Sequence, residues 1–160
     1  MRILITGANG EVGKEIALIL SKNKSYKLGL LGNKKNKTKP NYFFQNLLKP
    51  IKLKFKPQII IHCAAKHPNS KIGSEMKNIY STNIKITENL INFANKNKVR
   101  KVFFLSSIAV YGQIRKTIIH EKQKPINQNL YEKSKLVSEK LFCKKKNKFK
   151  TVCLRIPGVF

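Results

Sequence analysis

Apolar residues fall in short runs separated by longer stretches with helical spacing. Such runs lie at 2–5, 26–31, 58–63, 101–105 and 151–156, with a shorter one near Tyr42-Phe43-Phe44. The run Q-I-I-I-H-C at 58–63 is nearly all apolar, as expected of a strand buried on both faces. Between the runs, helices are predicted over 11–21, 75–97 and 130–145. In the second, Ile79, Ile86, Leu90 and Ala94 fall near one face; in the third, Leu130, Val137 and Leu141 form a stripe. A further helix over 47–55 is interrupted by Pro50. Loops are expected at 34–40, rich in lysine, at 66–74 and at 112–129, and Pro157 ends the last strand.

Strands alternating with helices imply right-handed crossovers and a parallel sheet covered on both faces. The predicted fold is therefore α/β: a Rossmann-type doubly wound sheet in three α/β/α layers, forming one domain over 1–160 with strand order 3-2-1-4-5-6. Ligands of such sheets bind where the order reverses, outside the C-terminal ends of strands 1 and 4. Gly7, Ala64, Ser107 and Tyr131 are all predicted at or near that edge. The chain shows no internal repeat and no low-complexity linker.

The turn after the first strand reads T-G-A-N-G-E-V-G, residues 6–13. A strand, a glycine turn and a helix start suit a pyrophosphate. Small residues admit close approach of the backbone, and the helix N-terminus offers free N–H groups and a favourable dipole. The glycine spacing is G-x-x-G-x-x-G rather than G-x-G-x-x-G, so the turn alone also fits a tight βα connection with no ligand.

Composition narrows the class. The hydrophobic fraction of 41% and the length of 160 residues suit one globular domain with a core. Gly7, Asn9, Gly10 and Glu11 interrupt the first apolar run too early for a signal peptide, and no apolar stretch is long enough to span a membrane. Cys63, Cys143 and Cys153 lack C-x-x-C spacing, and His62, His67 and His120 lack metal-ligand spacing. No metal site or disulfide framework is expected; Cys63 and Cys153 read as buried strand thiols and the compartment as cytoplasmic. The net charge is +27, with 34 basic and 7 acidic residues, every acid a glutamate. One reading is a binder of nucleic acid or an anionic surface. The other is a compositional drift toward Lys, Asn and Ile, as A/T-rich codons produce. The lysines are scattered through every helix and loop, which favours drift over a dedicated nucleic-acid site.

Three further motifs carry chemistry. Tyr131 and Lys135 form Y-x-x-x-K on one helix face; Ser107 ends an apolar run ahead of Val110-Tyr111-Gly112; His62-Cys63-Ala64-Ala65 closes another. With Asn83 and the final L-R-I-P-G-V-F, these motifs resemble, in order and over almost the whole chain, the extended short-chain dehydrogenase/reductase family of nucleotide-sugar epimerases and dehydratases. The resemblance implies hydride transfer between a nicotinamide and a carbinol carbon. Tyr131 would be the acid/base, Lys135 would hold the nicotinamide ribose and favour the phenolate, and Ser107 would bind the reacting oxygen. It places the cofactor against Gly7, Asn9, Gly10, Glu11, Val12 and Gly13. Further contacts would come from Asn33 and Lys34, from Asn46 and Leu47, from Ala64, Ala65 and Lys66, and from Asn83, Tyr131, Lys135 and Pro157.

The sequence departs from the family pattern in several places. Ile108-Ala109 follow Ser107 where dehydratases carry Asp-Glu, which favours an epimerase or simple reductase. An acid binding the NAD ribose diol is expected about 20 residues past the turn. Asn33 stands there, beside Lys34 and Lys35, so the expectation is NAD or NADP with a lean to NADP. The adenine-binding Asp is missing, with Asn46 the nearest match. The family continues past L-R-I-P-G-V-F into a substrate domain, so a truncated or split gene product of low activity is expected. The alternatives are a dinucleotide-binding remnant or sensor and, behind it, a basic nucleic-acid-associated protein. The implied partners are a nucleotide sugar and either a second copy or a separately encoded substrate domain.

Overall fold

The computed structural model describes residues 1–34, 41–68, 73–114 and 118–158. Among these residues six strands form one all-parallel sheet in the order β3-β2-β1-β4-β5-β6. They are β1 (Arg2–Thr6), β2 (Lys27–Gly32), β3 (Tyr42–Phe44), β4 (Ile59–His62), β5 (Lys101–Ser107) and β6 (Lys150–Ile156). The helices are α1 (Glu11–Ser21), α2 (Gly73–Lys96) and α3 (Leu130–Phe142), with a 3-10 turn at Ile108–Tyr111. This is the doubly wound Rossmann-type sheet that the alternation of runs predicts.

Side-chain alternation along β1 explains the layers. Ile3 and Ile5 pack with Ala17 of α1 on one face. Leu4 points to the other face, into a larger core with Ile60, Leu90, Phe93, Val102, Phe104 and Phe142. Adjacent residues of one strand thus serve opposite layers, which is why the central strands read as unbroken apolar runs. All strands being parallel, the ends at Thr6, Gly32, His62, Ser107 and Ile156 share one edge.

Two expected elements differ. Residues 47–55 form no helix. The Asn46 side chain accepts the Leu48 N–H at 2.9 Å, and Gln45 bridges the loop through the Pro50 carbonyl at 2.8 Å and the Lys52 N–H at 3.2 Å. Local side-chain bonding and a proline together outcompete the helix, while Leu47 and Phe55 still reach the core. The third helix ends at Phe142 rather than 145, and its buried face is not the leucine stripe. Leu130, Val137 and Leu141 stay partly exposed, while Tyr131, Ser134, Lys135, Ser138, Glu139 and Phe142 turn inward. The polar members of that face have partners: Ser134 Oγ accepts from Asn83 at 3.1 Å, and Ser138 and Thr87 hydroxyls pair at 2.8 Å. Cys63 and Cys153 are half-buried rather than fully so.

Candidate active site

Gly7 closes β1 with φ at +71°, a conformation that favours glycine. A Cβ there would lie 2.6 Å from the Ala64 N and 2.8 Å from its Cα, so the turn is wedged against the end of β4. A Cβ on Gly13 would lie 2.2 Å from the Gly7 carbonyl oxygen, so α1 seats directly on the turn. Gly10 behaves differently. A Cβ there would meet only the Gly7 oxygen, at 3.4 Å, and its backbone is extended, with φ −75° and ψ 161°. No side chain caps α1 at Gly10. The open space above Gly10 and the uncapped helix start fit a pyrophosphate, which would take the N–H groups of α1 in place of a cap. Val12 is half-buried and Glu11 exposed in the first turn.

Beside the turn, the Tyr42 hydroxyl lies 2.6 Å from Asn9 Oδ1 and 2.7 Å from the Lys34 carbonyl, tying the glycine turn to the chain leaving β2. Asn33 and Lys34 are exposed there, and Lys35 lies outside the described residues. Asn46 is exposed beyond β3, its oxygen engaged in its own turn. Leu47 is a core side chain whose carbonyl accepts from Asn89 at 2.8 Å.

Past β4, Ala64 is half-buried, Ala65 exposed and Lys66 half-buried. Asn83 of α2 fixes this segment. Its Oδ1 accepts the Lys66 N–H at 2.7 Å, and its Nδ2 donates to the Lys66 carbonyl at 3.1 Å and to Ser134 Oγ. The Asn83 amide is thus engaged in joining α2, α3 and the loop after β4. Thr6 and His62, at the ends of β1 and β4, pair at 2.6 Å. Burial, then the nearby Lys135, push the His62 imidazole down to about 3, so it is neutral. Its ring stacks on Phe104 and meets the edge of Phe142, as a core histidine.

Helix α3 starts at a capping box formed by Asn129 and Glu132, an N-x-x-E pattern present in the sequence. Lys135 is 5% exposed; its Nζ donates to the Leu105 carbonyl at 2.6 Å and sits 4.5 Å from the Phe104 ring centre. Burial pulls its ammonium down to about 8, against raising contributions from Cys63, Glu139 and Cys153. The fold therefore carries a desolvated cation two residues before the end of β5. Ser107, at that end, accepts the Ala109 N–H at 3.1 Å, which leaves its hydroxyl proton to donate. Tyr131 lies one turn before Lys135 and is nearly buried, its ring 4.7 Å from that of His67. The phenol differs from the sequence expectation. It stands above its ordinary value, through burial first and Glu132 second, rather than being drawn toward phenolate by Lys135.

His67, against Tyr131, escapes a sequence reading that asks only whether histidines have metal spacing. A second cluster that sequence reasoning misses lies where β6 runs beside the end of β5. Arg155 of β6 binds Glu139 of α3 at two points, 2.8 and 3.1 Å, and donates to the Tyr111 hydroxyl and the Glu121 carbonyl, each at 2.8 Å. Glu139 holds the guanidinium above its ordinary value. Pro157 is exposed just beyond β6. Among the described residues no group of three or more His, Cys, Asp or Glu could hold a metal, and no helix is long and apolar enough to cross a membrane.

A doubly wound parallel sheet with an open glycine turn and a Tyr–Lys helix beside its C-terminal edge defines the class. The chain belongs to the NAD dependent epimerase/dehydratase family, whose model matches residues 3–160. It is 30% identical over 178 residues to a UDP-glucose 4-epimerase of Mycoplasma genitalium, covering 99% of this chain and 52% of that protein. It is 28% identical over 164 residues to the methionine adenosyltransferase 2 subunit beta of Xenopus tropicalis, covering 99% and 47%. Among solved structures it resembles the Thermus thermophilus UDP-glucose 4-epimerase complex with NAD, at TM-score 0.85 and 23% identity, over 97% of this chain and 54% of the other. The chain thus spans about half the length of the relatives it matches.

Proposed function

We propose that this chain binds NAD along the C-terminal edge of the sheet and supplies the acid/base group of a nucleotide-sugar epimerase reaction. The observation that carries this reading is the pairing of Lys135 and Tyr131 on the buried face of α3. The Lys135 ammonium is anchored to β5 at Leu105, two residues from Ser107. Bound NAD would accept hydride from a carbinol carbon of the sugar. Tyr131 would receive the proton of the hydroxyl being oxidised and return it, with Ser107 donating to that oxygen. Lys135 would hold the nicotinamide ribose, and the uncapped start of α1 would hold the pyrophosphate. Burial, then Glu132, holds the Tyr131 phenol above its ordinary value, so a positive charge brought by an oxidised cofactor would favour its action as a base.

NAD is favoured over NADP. The solved UDP-glucose 4-epimerases of Thermus thermophilus and Brucella ovis are complexes with NAD, and the lean to NADP rests on Asn33 and Lys34 alone among the described residues. UDP-hexoses are the first substrates to try, given the epimerase relatives.

The test is hydride transfer with enzyme in excess over UDP-glucose or UDP-galactose in the presence of NAD, followed by nicotinamide absorbance and sugar analysis. Tyr131→Phe should lower the rate by about 10²–10⁴-fold while changing NAD affinity little. Equal rates for the two proteins would remove Tyr131 from the chemistry. A second reading, a dinucleotide-binding module without turnover, is favoured by the likeness to a protein named as a subunit of methionine adenosyltransferase. It predicts NAD binding with no hydride transfer in either protein.

A further inference from the structure

Cys143 caps the C-terminal end of α3, and Cys153 lies in β6. Their sulfurs are 3.9 Å apart. Cys143 is exposed and Cys153 half-buried. The two elements already meet here, since Thr151 Oγ1 donates to the Phe142 carbonyl at 2.9 Å. Cys143 also lines an open groove of about 270 Å³ with Phe142, Lys144, Lys145 and Phe149. The groove is lined by two lysines and by the exposed residue Cys143.

We propose that Cys143 and Cys153 form a modification site, a dithiol that a small anionic disulfide converts reversibly into an intramolecular disulfide. In the first step the Cys143 thiolate attacks one sulfur of the small disulfide. That S–S bond breaks, a mixed disulfide forms on Cys143, and one small thiolate leaves. In the second step the Cys153 thiolate attacks the Cys143 sulfur, the Cys143–Cys153 bond forms, and the second small thiolate leaves. The two protein thiols lose two protons and two electrons, and the small disulfide is reduced to two thiols.

The geometry assigns the order. Cys143 is the more exposed of the pair, and Lys144 and Lys145 draw an anionic reagent to it. Burial, with Cys143 close by, pushes the Cys153 thiol up to about 12, so it resolves rather than initiates. Shortening 3.9 Å to a bond of about 2.0 Å asks for about 2 Å of movement, within reach of a rotamer change at an exposed helix end. Cys63 stands apart, just past β4, and its thiol is likewise raised to about 12 by burial. The closed bond would fasten the end of the helix that carries Tyr131 and Lys135 to β6.

The experiment treats the reduced protein with glutathione disulfide and follows intact mass, peptide map and melting. The expected product is lighter by two hydrogens, links the Cys143 and Cys153 peptides, melts roughly 5–10 °C higher, and reverts with dithiothreitol. Cys153→Ser should stop at a glutathione adduct on Cys143. Cys143→Ser should leave Cys153 unmodified, and Cys63→Ser should still close the bond. An uncharged disulfide should react severalfold more slowly. The proposal is overturned if glutathione remains on Cys143 of the unsubstituted chain, if Cys63 enters the linkage, if neither thiol reacts, or if charged and uncharged disulfides react equally fast.

Discussion

Gly13→Ala is expected to lower the melting temperature by roughly 6–12 °C or to prevent folding. Alanine in a helix interior normally stabilises by about 1 kcal/mol relative to glycine, so propensity alone predicts a gain. Here the added methyl would lie 2.2 Å from the Gly7 carbonyl oxygen, 2.9 Å from its carbon and 3.2 Å from the Ala8 Cα. These are backbone atoms of the turn and cannot rotate aside. Nor can the turn retreat, because Gly7 is itself wedged against the backbone of Ala64. The helix must lift off β1, at a cost of about 3 kcal/mol or more. At roughly 2–4 °C per kcal/mol for a domain of this size, the shift is readily seen in thermal circular dichroism. An unchanged or higher melting temperature would show that α1 does not seat on the turn as described.

Arg155→Leu should cost about 1–3 kcal/mol, less than a fully buried pair would, because Glu139 is left without its partner but Arg155 is itself 24% exposed. Glu139 is 6% exposed and would lose both guanidinium contacts. The Tyr111 hydroxyl and the Glu121 carbonyl would lose a donor each, loosening the segment that follows Ser107. Most of the penalty is the stranded carboxylate rather than the intrinsic worth of the pair. The double variant Arg155→Leu with Glu139→Leu should therefore recover much of the loss. Chemical denaturation of the two singles and the double closes the cycle. Equal destabilisation of single and double variants would mean that Arg155 acts chiefly through Tyr111 and the loop.

The strands were legible because each central one serves two layers at once, so that Ile3-Leu4-Ile5 is apolar throughout. The placement of the glycine turn, Ala64, Ser107, Tyr131 and Lys135 near one sheet edge was legible because the motif spacing and the strand ends coincide, and the structure puts Gly7 against Ala64 and Lys135 against β5. The inward face of α3 was not. Hydrophobic spacing selects Leu130, Val137 and Leu141, but the face that packs is polar, its burial made tolerable by Asn83, Thr87 and Arg155 from other elements. No local pattern announces partners that distant. The loop at 47–55 failed for the opposite reason: the deciding bonds are local, from Gln45 and Asn46, and outweigh a helical pattern already broken by Pro50. The perturbation of Tyr131 also lay beyond the sequence, since burial rather than the Lys135 spacing sets its direction.

The central claim is that the open glycine turn is a dinucleotide site, and Gly10 separates that claim from fold stability. Valine at Gly10 finds an extended backbone and a nearest atom 3.4 Å from its Cβ, so Gly10→Val should melt close to the unsubstituted chain. Its side chain would nevertheless fill the space over the start of α1 where a pyrophosphate must lie. Calorimetric titration with NAD should show binding to the unsubstituted chain and at least a 100-fold loss, about 2.7 kcal/mol, in Gly10→Val. NAD binding retained within about threefold by a well-folded Gly10→Val protein, or absent from the unsubstituted chain, would contradict the account.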